Sequence, residues 1–404
     1  MPFMSLYLQI PLALVIALIL SFCVTPLVKR FAHRVGAIDT PKDARRVHTH
    51  PIPRLGGLAI FIGFLFSVTL LADISVEVRG ILLGAVIIVT LGVIDDIRPL
   101  PALLKFIVQI IAALITVFHG VNIEFFANPF VLGNNNYVSL GMLAIPVTVL
   151  WIVGITNSVN LIDGLDGLAV GVSTISSIVM LVIALLVAEP NVAVIMAALA
   201  GACLGFIPYN FNPAKIFMGD AGALLLGFIL ATVSILGLFK FYTIISFAVP
   251  FLVLALPFFD TAFAFLRRLA KGKNPMAPDR GHFHHRLLDM GLSQKQVVAV
   301  LYAISGLLGL IAVVISTTHQ IRGPLLVAAV VIAAAIVFWV FRKNGIYKNG
   351  DDKVVADKNK DNADNVGNVD GADDIDDDVD DINKVDDVDN VDDIDNVDDF
   401  DDSD

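Results

Sequence analysis

The sequence has few charged residues over most of its length. It is 57% hydrophobic and 16% charged, whereas a soluble globular protein has about 45–50% apolar and about 25% charged residues. The last 54 residues contain 24 Asp and four Lys, so this tail carries a net charge of −20 and the rest of the chain carries +9. The first 350 residues therefore have the composition of a weakly basic membrane protein, and a soluble fold is excluded.

Cysteine is almost absent as well. The two cysteines, Cys23 and Cys203, both lie in apolar runs. This excludes a disulfide framework and a cysteine-based zinc site. Candidate catalytic and ligand groups must be sought among the acidic, amide, histidine and arginine side chains.

Long apolar runs predict membrane-spanning helices. A bilayer core about 30 Å thick requires about 20 mainly apolar residues per helix. We expect an all-α polytopic membrane protein of about eleven transmembrane helices. The predicted spans are residues 6–28, 55–72, 80–94, 103–118, 140–155, 168–188, 192–208, 221–239, 244–266, 297–317 and 324–341.

Basic residues between the predicted spans indicate their orientation. Residues 29–54 and 267–295 each contain seven Lys or Arg, whereas the alternate loops contain only Arg79, Lys240 and Arg322. We therefore expect the N-terminus outside and the C-terminus in the cytoplasm. Nearly all segments rich in Asp, Asn or His then face the cytoplasm, and a cytoplasmic active site is predicted.

The acidic tail is expected to be a separate segment. From residue 382 an apolar residue recurs at every third position among Asp and Asn, a period that fits neither a helix nor a strand. Charge repulsion and the scarcity of bulky apolar residues favour a disordered arm. We predict a membrane domain at residues 1–345 and a disordered cytoplasmic tail at residues 346–404. A tail that binds cations or a partner is the alternative.

The first motif with candidate chemistry is the acidic pair Asp95 and Asp96, which ends an apolar run. Carboxylates at a helix C-terminus oppose the helix dipole and are costly near a membrane. A role in binding a metal or positioning a phosphate is therefore favoured over a solvated helix end.

The second motif lies at residues 157–168. Asn157, Asn160, Asp163 and Asp166 recur every three residues, so a helical turn brings neighbouring members to one face. Two Asp-Gly steps permit tight turns close to a ligand. Carboxylate and amide oxygens suit a hard cation such as magnesium, and two ordinary interfacial turns are the plainer alternative.

The third motif is Gly-Asp-Ala-Gly at residues 219–222, immediately before an apolar run. Free backbone N–H groups and the carboxylate of Asp220 at a helix start suit a magnesium–diphosphate pair. Asp220 acting only as a helix cap is an equally good interpretation of this motif alone.

The fourth motif, Asp-Arg-Gly-His-Phe-His-His-Arg-Leu at residues 279–287, lies in a basic loop. Its histidines and arginines suit the binding of phosphate oxygens, and their spacing does not fit a zinc site. Asp260, inside the predicted ninth span, is an intramembrane acid. It is therefore a functional candidate or a structural partner of a neighbouring helix.

These four motifs, in this order and spacing, resemble the polyprenyl-phosphate N-acetylhexosamine-1-phosphate transferase family, and so does Pro-Ile-Pro-Arg-Leu-Gly-Gly at residues 51–57. The resemblance covers roughly residues 20–300. The His-x-His-His-Arg form at residues 282–286 is similar to the branch that transfers N-acetylglucosamine phosphate to undecaprenyl phosphate and so initiates teichoic acid, O-antigen or a related surface polymer.

The resemblance implies roles for individual residues. Magnesium, with manganese as a substitute, would be held by Asn160 and Asp220. Catalytic roles would fall to Asp95, Asp96 and Asp163. Substrate binding would fall to Asn157, Asp166, Arg280, His282, His284 and His285. The implied partners are a UDP-sugar, undecaprenyl phosphate and the lipid bilayer of a bacterial cytoplasmic membrane. No nucleic acid is expected, and assembly into a homo-oligomer is left open.

Two alternatives are kept at this point. The donor could be a muramoyl-pentapeptide nucleotide, as in a related branch of peptidoglycan synthesis. A cation-coupled transporter is less favoured, because transporters place ion-binding groups near the bilayer midplane and only Asp260 is predicted there. Direct attack by the lipid phosphate, kept deprotonated and aimed by Asp95 or Asp96, is favoured over a covalent aspartyl-phosphate route, since phosphoryl transfer depends mainly on positioning and electrostatic stabilisation.

The tail hypothesis gives a first prediction. Removal of residues 350–404 should leave the transferase activity of isolated membranes unchanged, because a solvated arm contributes nothing to the site. Loss of activity at an equal protein level in the membrane would contradict the prediction and favour a functional tail.

Overall fold

The computed structural model describes residues 6–40, 51–127, 137–237, 244–270 and 282–317. Within these ranges the chain is mostly helical. The helices are α1 (Leu6–Val35), α2 (Gly56–Leu71), α3 (Val76–Ile97), α4 (Ala102–Phe118), α5 (Ala144–Ile162), α6 (Leu168–Leu186), α7 (Pro190–Asn210), α8 (Gly219–Gly237), α9 (Ile244–Val253), α10 (Ala255–Ala270), α11 (Phe283–Asp289) and α12 (Gln294–Thr317).

Two short antiparallel ladders accompany the helices. Strand β1 (Ile38–Asp39) pairs with β2 (Ile52–Pro53), and β3 (Phe125–Ala127) pairs with β4 (Tyr137–Ser139). The expectation of an all-α chain was therefore incomplete. Runs of two or three residues are too short for a period-2 pattern to reveal them in the sequence.

Seven of the described helices are long and apolar enough to cross a membrane, namely α1, α3, α6, α7, α8, α12 and α5 with the short turn before it; α2 and α4 are shorter apolar helices. This agrees with a polytopic membrane protein. The predicted eleventh span and the acidic tail lie outside the described residues, as does the domain boundary between them.

Helix α8 forms the centre of the bundle. Every residue from Ala221 to Gly237 is buried, and α8 packs against α2, α3, α5, α6 and α7. A helix that is apolar on all sides is stable when it is surrounded in this way. The start of α8, where Asp220 lies, is therefore fixed from several directions.

Glycines allow the closest of these contacts. A Cβ atom on Gly92 of α3 would lie 2.3 Å from the Cα atom of Ala221, and one on Gly57 of α2 would lie 2.0 Å from the amide nitrogen of Gly222. Since both clashes are with backbone atoms, side-chain movement cannot relieve them. Helices α2 and α3 therefore reach α8 only because these residues lack a side chain.

The prediction of one continuous helix over residues 244–266, the ninth span, was wrong. The structure divides it into α9 and α10 at Leu254. Pro257 has no N–H to donate to the carbonyl of Val253, which interrupts the helical hydrogen bonds. The freed carbonyl oxygen accepts a hydrogen bond from Ser176 Oγ of α6 at 3.0 Å.

The packing at Gly92 gives a prediction about stability. Gly92→Ala should destabilise the protein by about 1–3 kcal/mol, as overpacking of a well-packed contact does. Thermal unfolding of the purified protein in detergent measures this effect. Gly154→Ala in α5 is the matched control, because a Cβ atom there meets nothing within 4 Å. Equal unfolding temperatures for both variants would contradict the prediction.

Candidate active site

A polar cavity of about 860 Å³ lies at one end of the helix bundle. Its walls come from the end of α1 and the segment after it, the start of α4, the ends of α5 and α7 with the connections that follow them, and the starts of α11 and α12. All of these chain positions belong to the ends that the basic-residue pattern assigns to the cytoplasm. The cavity brings together five of the predicted site residues: Asn160, Asp163, Asp166, Asp220 and His285.

Asp96 is a buried connection between α3 and α8. Its Oδ1 accepts hydrogen bonds from the backbone N–H of Asp220 at 3.0 Å and from Arg54 Nε at 3.0 Å, and its Oδ2 accepts one from the N–H of Ala221 at 3.1 Å. Its side chain is 0% exposed. A carboxylate at a helix N-terminus interacts favourably with the helix dipole, so Asp96 holds the start of α8 in place.

The segment around Arg54 runs alongside the segment that precedes α8. The N–H of Gly56 donates to the carbonyl oxygen of Phe217 at 2.9 Å, and the N–H of Phe217 donates to the carbonyl oxygen of Pro53 at 2.8 Å. These backbone bonds position the Pro-Ile-Pro-Arg-Leu-Gly-Gly motif beside the Gly-Asp-Ala-Gly motif. Gly219 supports the turn, because its φ of +72° is a conformation that glycine adopts readily.

Lys105, at the start of α4, bridges two carboxylates. Its Nζ donates to Asp95 Oδ2 at 3.1 Å and to Asp220 Oδ2 at 2.9 Å. Asp95 is fixed further by the N–H of Leu100, which donates to its Oδ1 at 2.8 Å. Lys105 therefore compensates two acidic groups at the edge of an apolar bundle, where an unpaired charge is costly.

The motif at residues 157–168 separates into different environments. Asn160 and Asp163 line the cavity. Asn157 instead donates to the side chain of the buried Gln109 at 2.5 Å, so a substrate-binding role for Asn157 stays a prediction. Asp166 lines the cavity and also accepts hydrogen bonds from Asn212 Nδ2 and the N–H of Ala214, both at 3.0 Å.

The carboxyl group of Asp163 has a pKa above its usual value. Burial raises the pKa of Asp163 to about 7, and the carboxylates of Asp220, Asp96 and Asp166 contribute in the same direction. A carboxyl group with a pKa near neutrality can accept or donate a proton at physiological pH.

The histidine block, residues 282–286, has its three histidine rings in three different environments. His285 lines the cavity, whereas His282 contacts Asp260 at 2.9 Å. His284 is buried, and a Cβ atom on Gly164 would lie 2.6 Å from its Nε2. Burial and the nearby His285 lower the pKa of His284 to about 4, so this ring is neutral at pH 7. Arg280 lies outside the described residues.

An apolar groove of about 490 Å³ lies between α9, α10 and α12. Leu252, Phe263 and Leu308 contribute to its walls, and Phe283 and Arg286 of α11 line it as well. Helix α11 therefore contributes side chains to both the groove and the polar cavity.

Sequence reasoning missed Arg54 and Lys105, which line the cavity, and Gln109, which accepts a hydrogen bond from Asn157. Lys105 could have been identified, because it is a lone cation in a predicted apolar span and such residues mark functional sites. Arg54 had two signals, its count among basic loop residues and its place in the Pro-Ile-Pro-Arg-Leu-Gly-Gly motif at residues 51–57, and neither indicated Asp96 as its partner. Its pairing with Asp96 requires a contact across 42 positions of the chain.

Magnesium was predicted as the cofactor, and the donor types of the cavity fit it. Among the described residues, no group of three or more His, Cys, Asp and Glu side chains is arranged to hold a metal ion. Magnesium typically needs only one or two protein carboxylates when substrate phosphates supply the other oxygens. The oxygen donors in the cavity, among them Asn160 and Asp220, are of the required type.

Comparison with known proteins places these features in a family. The model for "Glycosyl transferase family 4" matches residues 78–238. The chain is 43% identical over 311 residues to the "Probable undecaprenyl-phosphate N-acetylglucosaminyl 1-phosphate transferase" of Bacillus subtilis (strain 168), a match that covers 76% of this chain and 86% of that protein.

Two further relatives extend the comparison. The "Decaprenyl-phosphate N-acetylglucosaminephosphotransferase" of Mycobacterium tuberculosis (strain H37Rv) is 36% identical over 367 residues, covering 83% of this chain and 89% of that protein. The "Phospho-N-acetylmuramoyl-pentapeptide-transferase" of Staphylococcus aureus (strain Newman) is 32% identical over 322 residues, covering 74% and 96%. The resemblance found in the motifs is confirmed, and the chain belongs to glycosyl transferase family 4.

Proposed function

We propose that this protein transfers N-acetylglucosamine-1-phosphate from a UDP-sugar to undecaprenyl phosphate, releases UMP and forms the lipid-diphosphate-sugar that initiates a cell-surface polymer. The observation that carries the proposal is the polar cavity at one end of an apolar bundle, lined by acidic, amide and basic side chains. Two relatives named for transfer of N-acetylglucosamine phosphate to a polyprenyl phosphate support the proposal.

The architecture suits two substrates that come from different phases. A UDP-sugar enters from water, whereas a polyprenyl chain stays in the lipid. The apolar groove beside α10 offers a surface for the prenyl chain, and α11 connects this groove to the polar cavity. The phosphate of the lipid can then reach the cavity while its tail remains in an apolar environment.

Asp220 and Asn160 would hold magnesium together with the diphosphate of the donor. When bound, magnesium neutralises the diphosphate and stabilises the leaving UMP. Asp96 and Arg54 contribute by fixing the start of α8, which places the Asp220 carboxylate at the cavity.

Direct attack by the lipid phosphate requires a positioned and deprotonated nucleophile. Asp95 and Asp96, predicted for this role, pair with Lys105 and Arg54, whereas Asp163 lines the cavity. The pKa of Asp163, about 7, is close to the second pKa of a phosphate monoester, about 6, so Asp163 is suited to accept the proton. Lys105 lies between Asp95 and Asp220, where its ammonium group reduces the repulsion between two anionic substrates.

The cellular location follows from the basic-residue pattern and the position of the cavity. All the walls of the cavity come from helix ends and loops that the pattern assigns to the cytoplasm. We propose a multi-pass protein of the bacterial cytoplasmic membrane with about eleven spans, its N-terminus outside and its active site facing the cytoplasm.

The donor distinguishes this function from its nearest alternative. The relative named for phospho-N-acetylmuramoyl-pentapeptide transfer is 32% identical, against 43% for the relative named for N-acetylglucosaminyl phosphate transfer. This difference favours UDP-N-acetylglucosamine as the donor. Membership of the family also argues against the transporter alternative.

The reaction can be tested directly. Membranes containing the protein should form labelled lipid-diphosphate-sugar from UDP-N-acetylglucosamine and undecaprenyl phosphate only when magnesium is present, with manganese as a partial substitute. Asp220→Ala and Asp96→Asn should each lower the rate by about 10²-fold or more, because one loses a metal ligand and the other releases the start of α8.

Asp289→Asn is the matched control, since Asp289 is an exposed acid outside the cavity. Turnover of the muramoyl-pentapeptide donor instead would keep the chemistry and change the substrate. Absence of product with every UDP-sugar would overturn the proposed function.

Lys105 generates a second prediction. Lys105→Met removes the cation between Asp95 and Asp220 while keeping much of the side-chain volume, and should lower kcat/KM by about 10²-fold. Steady-state kinetics with both substrates measures the effect. Lys295→Met, an exposed lysine at the start of α12, serves as the control. Wild-type kinetics in Lys105→Met would exclude a role for this bridge in the reaction.

A further inference from the structure

Asp260 engages the beginning of α11 with both of its carboxylate oxygens. Its Oδ1 accepts a hydrogen bond from the backbone N–H of Phe283 at 2.7 Å, and its Oδ2 accepts one from His282 Nδ1 at 2.9 Å. The side chains of Asp260 and His282 are 8% and 7% exposed. This acid of α10 thus has specific partners, both of which belong to the histidine block.

Helix α11 depends on such external contacts. It has seven residues, whereas an isolated helix shorter than about 12–15 residues is marginal in water. His282, the residue before its first turn, makes no capping hydrogen bond with its side chain. Asp260, a residue of α10, caps α11 instead, because its carboxylate accepts a hydrogen bond from the first free N–H of α11.

The histidine rings extend from this anchor to the cavity. The rings of His282 and His284 are parallel within 9°, with centroids 5.8 Å apart, and the centroids of His284 and His285 are 4.3 Å apart. His284 packs against Gly164, next to Asp163, and its Nε2 has no hydrogen-bond partner among the described residues. His285 completes the series at the cavity wall.

Asp260 does not itself line the polar cavity. It borders the apolar groove together with Phe283 and Arg286, but both of its oxygens are already used by α11. Its influence on the cavity therefore passes through the placement of α11, which carries side chains for both surfaces.

We infer that Asp260 is a positioning residue for transfer, because it anchors α11 through Phe283 and His282. The anchored helix places His285 against the donor, and it places Phe283 and Arg286 along the apolar groove. The inference rests on the proposed function for its kinetic consequence. The anchoring itself is a property of the fold and can be measured without turnover.

The anchoring is tested by hydrogen–deuterium exchange of the purified full-length protein. Asp260→Ala should raise the exchange of peptides covering residues 283–289, while peptides from α3 and α8 stay unchanged. Asp260→Asn should give an intermediate result, because its amide oxygen still accepts from Phe283. Asp289→Ala, at the other end of α11, is the control. Unchanged exchange of residues 283–289 in Asp260→Ala would overturn the inference.

The kinetic consequence is tested on the same variants. Asp260→Ala should lower kcat/KM for the UDP-sugar by about 10²-fold, the effect of displacing a positioning element by about 1 Å, and Asp260→Asn should recover most of this loss. If Asp260 acts through His282, the double variant Asp260→Ala/His282→Ala should be no slower than the slower single variant. Additive losses, or unchanged kinetics in Asp260→Ala, would overturn the inference.

The two proposals fail in different ways. If the unaltered protein forms no product with any UDP-sugar, the proposed function falls, and the exchange comparison still decides whether Asp260 holds α11. If the unaltered protein is active and Asp260→Ala is equally active, the proposed function stands and the positioning role is excluded.

Discussion

The carboxylate of Asp96, at the N-terminus of α8, is the interaction on which the rest of the site depends. It accepts hydrogen bonds from the first residues of α8 and from Arg54, and its side chain has no exposed surface. A buried charge of this kind is costly unless it is paired and hydrogen-bonded, and loss of one partner typically costs about 3–5 kcal/mol. The position of Asp220 is therefore coupled to the residues that satisfy Asp96.

The same constraint explains how the polar groups are distributed. An apolar bundle tolerates charged side chains only where they meet opposite charges or a water-filled cavity. Lys105 lies between Asp95 and Asp220, Asp166 accepts from Asn212 and Ala214, and Asp260 accepts from α11. The pairs Lys105–Asp220 and Asn212–Asp166 join residues 115 and 46 positions apart, so satisfying these acidic groups also assembles the cavity.

The bundle separates the two environments that the proposed reaction needs. The polar cavity opens at one end, whereas the apolar groove lies along α10 and α12. Helices α11 and α12 both contribute to the cavity and to the groove, but α11 is too short to be stable by its own hydrogen bonds. This helix is held by Asp260 from one side and by the burial of Leu287 from the other.

The sequence by itself determined the class of the protein and predicted a set of candidate site residues. Apolar runs predicted most of the helices, because helix length and hydropathy are local properties. The motifs predicted Asn160, Asp163, Asp220 and His285 as site residues, and these four side chains line the same cavity. Only the tertiary structure decided the partners of these residues. It placed Arg54 on Asp96, Lys105 between two acids, Asn157 on Gln109 and Asp260 on α11. Such contacts depend on helix packing and on the close approach that Gly57 and Gly92 allow, and the spacing of residues in one chain does not encode them.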